Sequence, residues 1–199
     1  MKNLKTLCVA VLSVFAFNVH SQTYDFSVST GIYTDLTDTT SVNKGMTWDD
    51  PTFEIPIGFD FKLFDTTITK IVTYDAAGVI CVDTFESRIV PFLIITAHDL
   101  IDRGYDLDEG EVTQTSLSPI SYKLSGSDGN RVLKVEWKNA GFYGEFEEDE
   151  ISEDYTNFQL WLYEGSNDIE IHYGPNSIQP ELSYYGLSGD LIGFFPSIR

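Results

Sequence analysis

An all-β fold, two antiparallel sheets packed as a sandwich, is what this chain of 199 residues predicts. Three observations carry the prediction. Apolar and polar residues alternate with a period of two along most of the chain, and the 3.6-residue recurrence of an amphipathic helix is nearly absent. Clusters of Gly, Asn, Asp and Ser punctuate these runs at short intervals. About ten short strands result, and a sandwich buries their inward-facing rows between two layers. A jelly-roll-like sandwich is the leading form, and a β-barrel is the alternative.

The chain opens on an address rather than on structure. Lys2 and Lys5 precede the apolar run Leu7 to Phe17, and small Ser21 follows a polar stretch. That pattern predicts a secretory signal peptide over 1–21, too short to cross a bilayer as a stable helix. A single domain is expected over 22–199, a length that supports a sizeable core. No later segment is long and apolar enough for a transmembrane helix. Of the two cysteines, Cys8 lies in the leader and Cys81 stands alone in an apolar run. No internal disulfide can form, and Cys81 reads as a small core residue.

Tyr24 to Ser29 is a short opening strand, and the Thr-rich stretch 35–49 is a loop. Phe53 to Leu63 alternates most cleanly, with Phe53, Ile55, Ile57, Phe59, Phe61 and Leu63 in one row. Pro56 cannot donate to a ladder, so it implies a sheet edge or a break. Ile68 to Tyr74 and Gly78 to Val82 flank the turn at 75–78, and Ile89 to Ile95 follows. Ile120 to Ser125 and Arg131 to Asn139 flank Gly126-Ser127-Asp128-Gly129-Asn130, a strong hairpin signal. In the return strand Leu133, Val135 and Trp137 point one way, and Lys134, Glu136 and Lys138 the other. Asn157 to Gly174 is a second hairpin. Phe158, Leu160 and Leu162 alternate with Gln159, Trp161 and Tyr163, and Gly165 to Asp168 make the turn. This hairpin is the expected centre of the fold, paired with Arg131 to Asn139. Tyr184 to Leu187 and Leu191 to Phe195 close a sheet. The stretches Asp99 to Glu111 and Glu145 to Asp154 are too polar for strands and read as surface loops.

Charge narrows function more than any motif does. The formal net charge is −19, with 31 acids against 12 lysines and arginines. Such a surface repels nucleic-acid phosphates and anionic lipid and favours solubility. The same acids invite a divalent cation. Asp102, Asp106, Asp108, Glu109 and Glu111 are the weak calcium candidates, although the spacing of an EF-hand loop is missing. A structural calcium is the one cofactor the chain suggests, because no Cys/His cluster supports zinc.

Catalytic signals are sparse. No G-x-S-x-G elbow occurs, and the histidines beyond the leader, His98 and His172, are paired with no nucleophile. Glycoside hydrolysis needs two carboxylates about 5–10 Å apart. Asp168, Glu170 and His172 alternate along one strand and Glu136 lies on the expected neighbour, which makes these four the weak catalytic candidates. A solvent face with cross-strand charge pairing explains them equally. Trp161, Tyr163, Trp48 and Tyr143, with Tyr105, are candidate ligand-binding rings if exposed and core residues if covered.

Several stretches resemble the N-terminal β-rich module of secreted and surface proteins of Bacteroidota, of the kind exported by type IX secretion. They include Trp48-Asp49-Asp50-Pro51, Ile57-Gly58-Phe59-Asp60-Phe61, Val135-Glu136-Trp137-Lys138-Asn139 and Phe158-Gln159-Leu160-Trp161-Leu162-Tyr163. The resemblance implies export and a β-rich module, and it brings no catalytic residues. Proteins of that kind typically end in a separate sorting domain, for which there is no room after Pro175. The expectation is therefore a secreted, acidic, non-enzymatic module for binding, adhesion or display outside the cell or at its surface, with the periplasm as the other location. A glycan or a surface protein is the expected partner. The alternatives are a glycan-active enzyme with paired carboxylates and a purely structural spacer. The sequence carries nothing on oligomeric state.

Overall fold

A computed structural model describes residues 24–64, 66–74, 79–81, 91–106, 115–149, 153–178 and 192–195. The signal peptide, the strand expected at 184–187 and the side chain of Cys81 lie outside the described residues. The elements are β1 (Thr40–Ser41), β2 (Glu54–Leu63), β3 (Thr66–Tyr74), β4 (Val79–Cys81), β5 (Phe92–Ile94), β6 (Leu100–Ile101), β7 (Ile120–Ser125) and β8 (Val132–Phe142). They continue with α1 (Tyr143–Asp149), β9 (Thr156–Tyr163), β10 (Ile169–Tyr173) and β11 (Gly193–Phe195).

The strands form two antiparallel sheets, neither closed into a barrel. The first has the order β1-β7-β8-β9-β10, with β6 paired to the far end of β8. The second has the order β11-β5-β4-β3-β2. β7 to β10 and β2 to β5 each run as a meander of neighbouring strands, while β1 and β11 cross over from far away in sequence to add to the edges at β7 and β5.

Register decides which residues face inward. Leu133 lies opposite Leu162, Val135 opposite Leu160, and Trp137 opposite Phe158. On the far side of β9, Ile171 lies opposite Leu160 and Ile169 opposite Leu162. This face meets the inner row of β2 (Ile55, Ile57, Phe59, Phe61 and Leu63) in one core. Trp137 stacks on Phe158 with ring centres 4.9 Å apart and planes 17° from parallel. Burying each such large apolar side chain contributes about 1.5–3 kcal/mol.

The expected edge role of Pro56 is met, because β2 is the last strand of its sheet. Its pairing with β3 shifts between Pro56 and Phe61, with Gly58 at φ +86° inside the shift. A Cβ on Gly58 would stand 2.6 Å from Leu124 Cδ2, the end of an exposed side chain that can move aside, so it is the conformation that calls for glycine here.

One end of the sandwich is tied by charge. Arg131, which opens β8, donates from Nε to Glu164 Oε2 at 2.8 Å and from Nη2 to Oε1 at 2.6 Å. Glu164 follows β9 and also accepts the backbone N–H groups of Gly129 and Arg131. Arg131 Nη1 then donates to the carbonyl of Gly58 at 2.8 Å, reaching the opposite sheet. Hydrogen bonds from Arg131 hold the Glu164 carboxyl down to about 2.

Three sequence expectations need correction. Glu145 to Asp154 is not simply a loop, since its first half belongs to α1. This helix follows β8 directly and buries Phe146 and Glu145, and the Glu145 carboxylate accepts the N–H of Asp154. A seven-residue helix is too short to display a period. The stretch from Asp99 is not all surface either. Leu100 and Ile101 are fully buried as β6, and Asp102 is 0% exposed. Tyr24 to Ser29 forms no strand.

Phe158→Ala is expected to cost about 3–5 kcal/mol in urea unfolding, because the stack on Trp137 cannot collapse to fill the space. Glu164 makes a second expectation. A carboxyl held low stabilises the fold above its ordinary value of 4.5, and that contribution is lost as pH falls through about 2. The melting-temperature gap between wild type and Glu164→Gln should be widest above pH 4.5 and close towards pH 2.

Candidate functional site

The outward face of the first sheet carries the residue types with chemistry. Alternation puts Lys134 and Glu136 of β8, Gln159 and Trp161 of β9, and Glu170 and His172 of β10 on that face. Register arranges them in two rows. One runs Lys123, Lys134, Trp161, Glu170, and the other Ser121, Glu136, Gln159, His172.

The second row is roofed. Residues 33–38 run across the sheet as a strap and bury Glu136 and Gln159 to 3% and 1% exposure. Glu136 Oε1 accepts from Gln159 Nε2 at 2.7 Å, from the Leu36 N–H at 3.1 Å and from the Tyr33 hydroxyl at 3.3 Å. Gln159 Nε2 also donates to the Thr34 carbonyl at 2.9 Å, and its Oε1 accepts the Trp161 indole N–H at 2.8 Å. These partners fix the amide orientation and use both ends of the Gln159 side chain. Burial and the adjacent Glu136 charge push the Tyr33 phenol up, which keeps it protonated as a donor. Lys138 Nζ reaches Asp35 at 2.5 Å and Lys123 Nζ reaches the Thr37 carbonyl at 2.8 Å, so both margins of the strap are pinned. The Tyr33 ring lies so close to Gly174 that a Cβ there would be 2.8 Å from it.

The first row stays open to solvent, and His172 at the far end of the second row and Tyr163 beyond Trp161 on β9 lie open beside it. Trp161, Tyr163, Lys134 and His172 are half-buried, and Glu170 is exposed. Lys134 Nζ sits 3.4 Å from the centre of the Trp161 ring, and the His172 ring stacks at 4.2 Å and 28°. Lys134 and His172 come from strands on opposite sides of β9. Two groups in contact with one ring centre cannot share a face without overlapping, so the indole is sandwiched between them. Glu170 Oε2 accepts the Tyr163 hydroxyl at 2.8 Å and lies 2.9 Å from His172 Nε2. Burial, then the hydrogen bond to Glu170, raises the Tyr163 phenol. Burial, then the nearby Lys123 charge, lowers Lys134.

Of the catalytic candidates, Glu136 is thus roofed, Asp168 is exposed in the turn, and Glu170 and His172 pair with each other two strands from Glu136. Of the ring candidates, Trp161 and Tyr163 form the open row. Trp48 is 1% exposed and gives its indole N–H to the Ser118 carbonyl, which makes it a core residue. Tyr143 begins α1, with its N–H on the Asp99 carbonyl, and Tyr105 is half-buried in the loop after β6. Of the calcium candidates, Asp102 is turned inward. Its carboxylate accepts the N–H groups of Gly104, Leu117 and Ser118 and the Ser116 hydroxyl. Asp106 is exposed, and Asp108, Glu109 and Glu111 lie outside the described residues. Among the described residues no three His, Cys, Asp or Glu side chains gather where they could hold a metal ion.

The sequence reading missed the strap, Gln159 as the hub beneath it, and Lys134 on the indole. Alternation placed Lys134 and Gln159 on the outer face. Nothing local shows that a segment about a hundred residues upstream crosses there.

The fold is an antiparallel all-β sandwich, and its extracellular type rests on the family to which the chain belongs. The chain belongs to the NIDO-related family, whose model matches residues 23–194. No curated protein and no solved structure matches it. Among the described residues no helix is long and apolar enough to cross a membrane.

Removing the Glu136 carboxylate should loosen the strap before it unfolds the sandwich. Glu136→Ala is expected to cost about 1–3 kcal/mol and to raise amide hydrogen exchange at residues 33–38, with β8 and β9 still protected.

Proposed function

We propose that the protein is a non-catalytic glycan-binding module acting outside the cell, with the open row around Trp161 and Tyr163 as its contact surface. One observation carries this reading: Trp161, Tyr163, Glu170 and His172 are held in place by one another on a face that does no core packing. Rings and hydrogen-bonding groups fixed in advance lose little entropy when a ligand arrives. Half-exposed Trp and Tyr are also the residue types that most often anchor contacts. The carboxylates favour binding over hydrolysis. A glycosidase needs an acid free to protonate the leaving oxygen and a second carboxylate across the bond. Glu136 instead gives an oxygen to three donors beneath the strap. Family membership supports the extracellular setting. The resemblance noted in the sequence adds export, with the cell surface, the medium and the periplasm as the locations it leaves open.

A glycan array probed with residues 22–199 tests the reading. Binding is expected, without cleavage of the bound glycan, and Trp161→Ala should abolish it with the melting transition intact. An array with no bound glycan would remove the proposal.

A further inference from the structure

We propose that the open row takes an acidic sugar unit, with its carboxylate on Lys134 and its hydroxyls on Glu170 and His172. This rests on the glycan reading and narrows it to a ligand class. In a chain with 31 acids and 12 lysines and arginines, a half-buried lysine ordinarily finds a carboxylate. The lysines beside it do: Lys138 pairs with Asp35 at 2.5 Å, and Lys123 lies 3.8 Å from Asp38. Among the described residues the Lys134 ammonium makes no ion pair and no hydrogen bond, and its close contact is the indole at 3.4 Å. Lys123, directly opposite on β7, adds a second positive charge. Burial, then the Lys123 charge, lowers the Lys134 pKa, and the nearby Glu170 carboxylate only partly offsets them. A carboxylate arriving here meets a partly desolvated charge, where attraction exceeds that in open water.

The rest of the row argues for a sugar acid over a simple anion or a neutral sugar. A simple anion would meet Lys134 and leave Glu170 and His172 without a partner. A neutral pyranose brings no carboxylate to Lys134, and both faces of Trp161 are taken, so no indole stack makes up for that missing contact. Glu170 spends Oε2 on Tyr163 and His172, and its Oε1 has no partner among the described residues. His172 likewise has one ring nitrogen without a partner among the described residues. Those two positions suit sugar hydroxyls, and Lys134 suits the carboxylate. The overall charge of −19 disfavours long polyanions. At physiological salt that repulsion is screened beyond roughly 8 Å, so a short acidic oligosaccharide feels mainly the local lysines.

Isothermal titration of residues 22–199 tests this with trisaccharides of galacturonic, mannuronic and guluronic acid, each beside the neutral trisaccharide of the same linkage. At least one acidic trisaccharide should bind at least tenfold more tightly than its neutral counterpart. Lys134→Gln should remove that preference. Lys62→Gln, an exposed lysine on the other sheet, should leave it unchanged, and melting curves confirm that both variants fold. Equal affinity for neutral and acidic forms, or a preference that survives Lys134→Gln, would overturn the acidic class and leave the glycan reading standing. No binding of either kind would overturn both.

Discussion

The Arg131–Glu164 pair is the constraint on which much of this sandwich depends. The pair is two-pronged and sits where three elements meet: the turn before β8, the turn after β9 and the bulge of β2. A forked guanidinium fixes direction as well as distance. Pinning Arg131 against Glu164 at the head of β8 and the tail of β9 favours one register between them. A slip of one residue would turn Leu133, Val135 and Trp137 outward and Lys134 and Glu136 inward. Asn167, in the same turn, accepts the N–H of Lys62 at 2.8 Å, so the β9–β10 turn also caps the edge of the second sheet. The exposed edge of β2 is thus blunted by Pro56, a bulge, flanking charges and two side chains from the opposite layer.

The same register creates the outer face. With Trp137 and Phe158 committed to the core, Glu136 and Gln159 must lie opposite each other on the other side. Two buried polar side chains there would be costly without partners. The strap supplies them: a hydroxyl, a backbone N–H and a carbonyl from residues 33–36. Its conformation is therefore dictated by groups that the core pattern pushed outward. The hydrogen bond from Trp161 to Gln159 carries that order into the open row, where stacking on His172 continues it.

Much of the architecture was legible because it rests on local alternation. Ile55 to Leu63, Leu133 to Trp137 and Phe158 to Leu162 each display their inward row in plain sequence, and the glycines and asparagines between them mark the hairpins. Elements that rest on distant partners were not legible. β6 is two residues long in an acidic stretch, and it is a strand because Phe142 and Gly141 are there to pair with it. Helix α1 has one buried apolar residue, Phe146, among acids, too little to register as a stripe. For the site, the outer-face membership of Glu136, Trp161, Glu170 and His172 could be read from period two. Their division into a roofed row and an open row could not, because it depends on a strap far away in sequence. Asp102 shows the same limit: its spacing suggested a metal loop, and its depth makes it an acceptor for backbone N–H groups.

Core packing and the outward polar and ring contacts thereby fall on opposite faces of the same strands. On β9, Phe158, Leu160 and Leu162 belong to the core between the layers, and Gln159, Trp161 and Tyr163 are not part of it. Changes in the outer row need open no cavity in the core, because the ring contacts there are made with other outer-face side chains. Variation in the inner row has no such freedom, since each residue is opposed by a partner of fixed size across the register. The sandwich therefore leaves Lys134, Trp161, Glu170 and His172 open to exchange without disturbing the packing between its layers. The strap sets the limit of that freedom: Glu136 and Gln159 share the outer face, yet they are bound to the fold as firmly as core residues.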